Sequence, residues 1–303
     1  MKKFLALLLS CLLLVSLTAC GEKPAAPAEE PAAPEAVAFT PTILFNGSST
    51  LSPILASVAA SFTEEYVTWD KVDPAFPAEN ISIYVASGGS GVGVNAVLDG
   101  TTDFGMLART IKDTEKEKMQ NYQEFVVAAD ALTVAVNAKN PITLTDMSSE
   151  TIRSIFSGEV KYWDEVDATL EHKEIAVYIR DLSGGAYEVF QKAIMGDTEI
   201  AANATQCPSM GALGTAIAEN PYAIGYASFG VYNQNADKLT AMQVDGVAPT
   251  EATITDGSYS IQRPLMFVCN HAITAPQQAF IDYAFSQVGI DAITGNGYIS
   301  VIG

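Results

Sequence analysis

From position 43 onward, apolar residues in this chain follow two alternating patterns. Short runs at 43–45, 81–85, 103–107, 174–179, 223–227 and 265–269 have the length of buried strands. Stretches at 53–66, 92–98, 148–156, 186–195, 210–219 and 276–286 carry apolar residues at helical spacing. Strands alternating with helices predict an α/β architecture. The run at 125–136 is longer than its neighbours and predicts a segment crossing between two lobes. No repeat with a period of roughly 20–50 residues is present.

One apolar run stands apart. Residues 4–17 are almost unbroken apolar and follow Lys2 and Lys3. A bilayer span takes ~20 residues, so this run is too short to cross, but it fits the core of a secretory signal. It ends in Leu17-Thr18-Ala19-Cys20. Small residues before a cysteine at this point resemble the lipobox of bacterial lipoproteins, where the signal is cut before the cysteine and the cysteine is lipidated. The resemblance implies a signal peptide at 1–19, a lipid anchor at Cys20, and a place on the extracytoplasmic face of the cell membrane. An ordinary secretory signal with an incidental Cys20 is the alternative. Residues 20–38 are rich in Pro, Ala and Glu and lack an apolar period, which predicts an extended tether.

Composition narrows the function. The 303 residues suffice for one large core or two medium ones. A formal net charge of −19 argues against nucleic acid or an anionic membrane surface as partner. It also requires that any bound anion be held by local groups rather than by the overall field. The histidines are His172 and His271, and no Cys-x-x-Cys occurs, so neither a metal site nor a cofactor is expected. Cys11 lies in the signal, and Cys207 and Cys269 lie in the body, with their pairing left open by sequence.

The chemistry concentrates in three glycine- and serine-rich turns, each between an apolar strand and a helix. They are Asn46-Gly47-Ser48-Ser49-Thr50-Leu51-Ser52-Pro53, Ser87-Gly88-Gly89-Ser90-Gly91-Val92-Gly93 and Arg180-Asp181-Leu182-Ser183-Gly184-Gly185-Ala186. A helix N-terminus offers unpaired N–H groups and partial positive charge. Glycine admits close approach, and hydroxyls add donors. Together these make an anion cradle that needs no net positive charge. Capping and turn formation alone would also place Ser and Gly here. Of the four arginines, Arg109, Arg153, Arg180 and Arg263, Arg180 opens the third turn and Arg109 ends the short strand at 103–108. Their guanidinium groups suit bidentate oxyanion recognition, or else surface ion pairing.

At these residues the chain resembles the phosphate-binding proteins of Pst-type ABC transporters. The likeness rests on the first two turns, on Asp103-Phe104-Gly105, and on Asn137-Ala138-Lys139-Asn140-Pro141-Ile142. It continues through Ile155-Phe156-Ser157-Gly158, Tyr162-Trp163 and Ala223-Ile224-Gly225-Tyr226-Ala227-Ser228. It ends with Val244-Asp245-Gly246-Val247-Ala248-Pro249-Thr250 and Arg263-Pro264-Leu265. The resemblance implies a two-lobed α/β type II periplasmic-binding-protein fold, with two crossover segments and a central ligand cleft. Residues 39–129 plus 230–303 would form the first lobe and 130–229 the second, with crossings near 126–136 and 224–229.

Carried over by position, the ligand donors would be Ser49, Thr50, the backbone at Leu51, Ser90, Arg180, and the Ser183, Gly184 and Gly185 turn, with Arg109 beside them. The implied ligand is inorganic phosphate or a related oxyanion, the implied partners are ABC permease subunits, and a monomer is expected. Two departures stand out. The family's third loop usually reads Arg-x-x-Gly-Ser-Gly-Thr, whereas Gly184 and Ala186 here replace its hydroxyl residues. Ala108 stands where many members carry an aspartate that accepts the phosphate proton. Another oxyanion, a small anionic metabolite or a sensing role therefore stays open. Catalysis is not expected, because neither histidine sits in a nucleophile–base arrangement and no Gly-x-Ser-x-Gly occurs.

Overall fold

The protein is described by a computed structural model covering residues 39–303. The expected signal peptide, Cys20 and the tether lie outside the described residues. Among the described residues, twelve strands occur: β1 (Thr42–Gly47), β2 (Ser82–Ser87), β3 (Phe104–Leu107), β4 (Tyr122–Asn137), β5 (Asp146–Met147), β6 (Ala176–Arg180), β7 (Thr205–Cys207), β8 (Ala223–Ser228), β9 (Leu239–Ala241), β10 (Gln243–Val244), β11 (Gln262–Asn270) and β12 (Ile299–Ser300). Ten of them form one mixed sheet in the order β2-β1-β3-β11-β4-β8-β6-β7, with β9 and β12 also paired to β4.

β4 organises this sheet. Its residues from Tyr122 to Ala131 pair antiparallel with β11, and those from Leu132 to Val136 pair with β8. Burial increases along the strand before the switch. Tyr122 to Phe125 are partly or fully exposed, whereas Ala131 to Asn137 are all buried. A strand with neighbours on both edges and both faces covered reads as a continuous apolar run, which is the pattern seen in the sequence.

Two large hydrophobic clusters lie along the sheet. The first gathers Phe45, Phe62, Trp69, Phe104, Phe267 and Phe280. The second gathers Phe156, Trp163, Phe190, Tyr226 and Tyr259. The stretch 239–261, grouped by sequence with the first lobe, packs Leu239, Met242, Val244, Ile254, Tyr259 and Ile261 into the second cluster. Pairing of β9 with the C-terminal end of β4 holds it there. The chain returns to the first cluster between Ile261 and Leu265.

Helices cover both clusters. Those at Ser149–Phe156, Phe229–Gln234 and Ala275–Ala284 begin on Ser148, Ser228 and Thr274, whose hydroxyls accept a first-turn N–H. Cys207 and Cys269 are buried free thiols. Among the described residues, no helix is long and apolar enough to cross a membrane.

Candidate anion-binding site

The three turns predicted from sequence converge. They bound a small cavity lined by Ser48, Ser49, Thr50, Gly89, Ser90, Ala108, Arg180, Gly184, Gly185, Ala186, Met210 and Arg263. A larger open depression near Lys161, Glu174 and Tyr222 contains none of the buried arginines.

Each turn leads into a helix that lacks a side-chain cap bond, namely Ser52–Tyr66, Ser90–Leu98 and Gly185–Phe190. Ser90, Gly185 and Ala186 occupy first-turn positions, whose N–H groups have no intrahelical acceptor. Their partial positive charge is directed at the cavity. A side chain at Gly185 would destroy this arrangement, because a Cβ there would sit 2.4 Å from Ser90 Oγ.

Arg180 is 1% exposed at the end of β6. Its backbone N–H donates to the buried hydroxyl of Tyr226 at 3.0 Å, and Tyr226 stacks on Phe190 at 4.3 Å. Its guanidinium donates to Ser49 Oγ and to Asp181 Oδ1, both at 3.3 Å. Burial pushes the guanidinium pKa down, and Asp181 opposes that shift. An arginine begins so high that it stays charged.

Arg263 is the functional residue that turn-based reasoning missed. It enters from β11, donates to Ala108 O at 3.3 Å, and donates to Thr50 Oγ1 at 3.2 Å. Asp130 of β4 neutralises it from behind, at 2.8 Å from Nε and 2.7 Å from Nη2. Burial raises the Asp130 carboxyl pKa, while Arg263 and the N–H groups of Phe229 and Ala131 pull it down.

Ser49, Thr50, Ser90, Arg180, Gly184 and Gly185 line the cavity as the sequence predicts. Leu51, Ser183 and Arg109 do not. Leu51 N–H donates to Ser48 Oγ at 3.3 Å. The Ser183 hydroxyl lies 2.6 Å from Asp181 Oδ1 and 3.1 Å from Gly88 O, where it ties the third turn to the second. Arg109 is buried against carboxylates: Nη1 and Nη2 donate to Glu115 at 2.8 and 2.7 Å, and Nε lies 3.1 Å from Glu188. Ion pairing is thus the role its surroundings give it. Ser48, Gly89, Ala186 and Met210 complete the lining. Among the described residues, no cluster of acidic, histidine or cysteine side chains could hold a metal ion.

Comparison with known proteins agrees with this geometry. The model of the PBP superfamily domain matches residues 25–288. A phosphate-binding protein PstS from Staphylococcus saprophyticus is 32% identical over 78% of this chain and 73% of its own length. One from Staphylococcus aureus is 29% identical over 84% of this chain and 77% of its own length. A crystal structure from Clostridium perfringens, described as a phosphate ABC transporter substrate-binding protein with bound phosphate, superposes with a TM-score of 0.73. It is 25% identical and covers 86% of this chain and 99% of that one. A phosphate transport receptor from Vibrio cholerae, 24% identical over 85% of this chain and 99% of its own, shares the fold with a TM-score of 0.66. The fold is the two-lobed α/β type II periplasmic-binding-protein fold, and the chain belongs to the PstS family of the PBP superfamily.

Proposed function

We propose that this protein is an extracytoplasmic receptor that captures inorganic phosphate and delivers it to the membrane subunits of an ABC importer. The observation that carries this reading is the cavity itself. Two buried arginines, Arg180 and Arg263, the hydroxyls of Ser48, Ser49, Thr50 and Ser90, and the N–H groups of Gly185 and Ala186 converge on a space suited to a small tetrahedral anion. Charge-assisted hydrogen bonds to such an anion are the strong kind. The relatives carry the name phosphate-binding protein, and the Clostridium perfringens structure holds phosphate. The family is one of transport receptors rather than enzymes.

The two halves of the sheet act as lobes that close over the ligand, with β4 near Ala131 and the return near Ile261 as the crossings. The closed form is the one presented to the permease, by the hinge logic common to two-lobed receptors. Cys20 carries the lipid anchor, a reading supported by Leu17-Thr18-Ala19-Cys20. Calorimetric titration of the purified, anion-stripped protein tests the central point. Saturable phosphate binding at a single site is expected, and no heat at millimolar phosphate rejects the reading. For the anchor, Cys20→Ala is expected to move the protein out of the membrane fraction.

A further inference from the structure

The cavity of this receptor is built almost wholly from donors. A hydroxyl oxygen has two lone pairs and one proton, so what it accepts from the protein decides what it offers a ligand. Ser48 Oγ accepts from the N–H groups of Thr50 and Leu51, at 3.2 and 3.3 Å. Ser49 Oγ accepts from Arg180 Nη1 and from Met210 N–H, both at 3.3 Å. Both oxygens are saturated as acceptors, and their protons are left to donate. Ser90 Oγ accepts from Ala108 N–H at 3.0 Å, and Thr50 Oγ1 accepts from Arg263 Nη2 at 3.2 Å.

Several carbonyls of the lining are engaged as well. Those of Ser48, Gly89 and Gly184 accept from the N–H groups of Ser52, Gly93 and Tyr187, and that of Ala108 accepts from Arg263. No carboxylate lines the cavity. The charged groups facing it are Arg180 and Arg263. Asp130 and Asp181 sit behind those two guanidiniums, and Glu115 and Glu188 are turned to Arg109. Ala108, at the point where an acceptor could have stood, brings a methyl group that is 2% exposed.

We propose that this cradle favours the anion form that carries the fewest protons, so that sulfate competes with phosphate at the same site. An acidic proton on the anion meets no carboxylate here. It finds at most one remaining lone pair on Thr50 or Ser90, in a place where each ligand oxygen could otherwise receive a donor. Burying a polar group without its partner is unfavourable. Specificity by mismatch, as in sites that place an acceptor against sulfate, is missing. The phosphate dianion is therefore preferred to the monoanion, and sulfate, which carries no proton, satisfies every group that points inward.

This inference rests on the anion-receptor reading above, and the experiment separates the two. The stripped, full-length protein is titrated with phosphate and with sulfate at about pH 8, then again at about pH 5.5, a range spanning the second ionisation of a phosphate group. Sulfate is expected to bind within about tenfold of phosphate at the higher pH and to displace it stoichiometrically. Phosphate affinity is expected to fall by at least about fivefold at the lower pH while sulfate affinity holds. Arg180→Ala is expected to weaken both anions together, which assigns both to this cavity. Tight phosphate binding with sulfate more than about a thousandfold weaker overturns the inference and leaves the receptor reading intact. So does phosphate affinity that holds or rises on acidification. Binding of neither anion overturns both readings.

Discussion

Asp130 and Arg263 form a fully buried ion pair, with Oδ2 at 2.8 Å from Nε and 2.7 Å from Nη2, where β4 and β11 run side by side. The other carboxylate oxygen accepts from Phe229 N–H at 2.9 Å, at the start of the helix that follows β8. One aspartate thus fixes the arginine that orients Thr50 and also the exit of a strand from the second half of the sheet. Removing one partner of a buried pair leaves an uncompensated charge. Asp130→Ala is expected to lower unfolding stability by about 3–5 kcal/mol. Denaturant unfolding of the anion-free protein measures this, and a loss below about 1 kcal/mol would mean that water reaches Arg263 after the change.

Arg180 is aimed by its backbone. Tyr226, stacked on Phe190, accepts the Arg180 N–H, and Ser49 receives the guanidinium. Arg180→Ala removes a charged donor and frees Ser49. Hydrogen bonds to charged groups contribute ~1.5–3 kcal/mol, so at least a tenfold loss of phosphate affinity is expected. Calorimetry reads it, and an unchanged affinity would place the ligand elsewhere.

Much of this architecture was legible in the order of apolar runs, and particular residues explain what was not. The run at 125–136 marked β4, but Tyr122-Gln123-Glu124 extend it with partly exposed residues that carry no apolar signal. Strands of two or three residues, such as β5, β9 and β12, are too short to display a period. The third turn lines the cavity through Gly184 and Gly185, yet its Ser183 turns to Asp181 and Gly88. Only the fold brings those partners close.

Arg263 sits inside a strand between Gln262 and Pro264, with no glycine or serine beside it to mark a binding turn. Its role follows from β11 lying between β3 and β4. The departure at Gly184 also gains a physical reason. A Cβ at that position would lie 2.9 Å from Arg180 Nε and Nη2, so this chain's arginine occupies the space a serine would need.

Gly185 provides a steric test of the same geometry. Its missing side chain lets Ser90 approach from the other half of the sheet. Gly185→Ala places a methyl group against Ser90 Oγ and its Cβ, and the two turns must separate to admit it. Phosphate affinity is expected to drop by more than tenfold while the anion-free melting temperature stays within a few degrees, because the strain falls on the closed cleft. Thermal melts with and without phosphate distinguish this from simple unfolding: the variant should lose the ligand-induced rise in melting temperature.

Acid should weaken the cluster around Arg109. Burial would raise the Glu115 carboxyl pKa, but the hydrogen bonds from Arg109 and from the Lys112 N–H outweigh it and hold it below the usual range. A depressed carboxylate stabilises the fold above its unfolded value of about 4.3, and that contribution disappears as pH falls through the lower folded value. Glu115→Gln is expected to lower stability at neutral pH and to flatten the acid limb of the stability profile below about pH 4.3. A variant whose acid limb matches the parent's would assign that limb to other carboxylates.

Glu188 links the two halves of the molecule through ion pairs outside the cradle. It lies in the helix after the third turn, yet it takes Arg109 at 3.1 Å and Lys112 at 2.7 Å, both from the segment after β3. Arg109 retains Glu115 when this contact is lost, so Glu188→Gln should leave each half folded. What changes is the balance between open and closed forms, and a ligand that binds only the closed form loses affinity in proportion to the population lost. Partly exposed pairs contribute roughly 0–1 kcal/mol each. The expected result is a twofold to tenfold weaker phosphate affinity, mainly through faster dissociation, and a larger radius of gyration in the absence of anion. High salt should weaken the parent protein's binding more than the variant's, because only the parent has these pairs to screen. Stopped-flow dissociation at low and high salt measures both effects, and identical rates in parent and variant would remove Glu188 from the closure equilibrium.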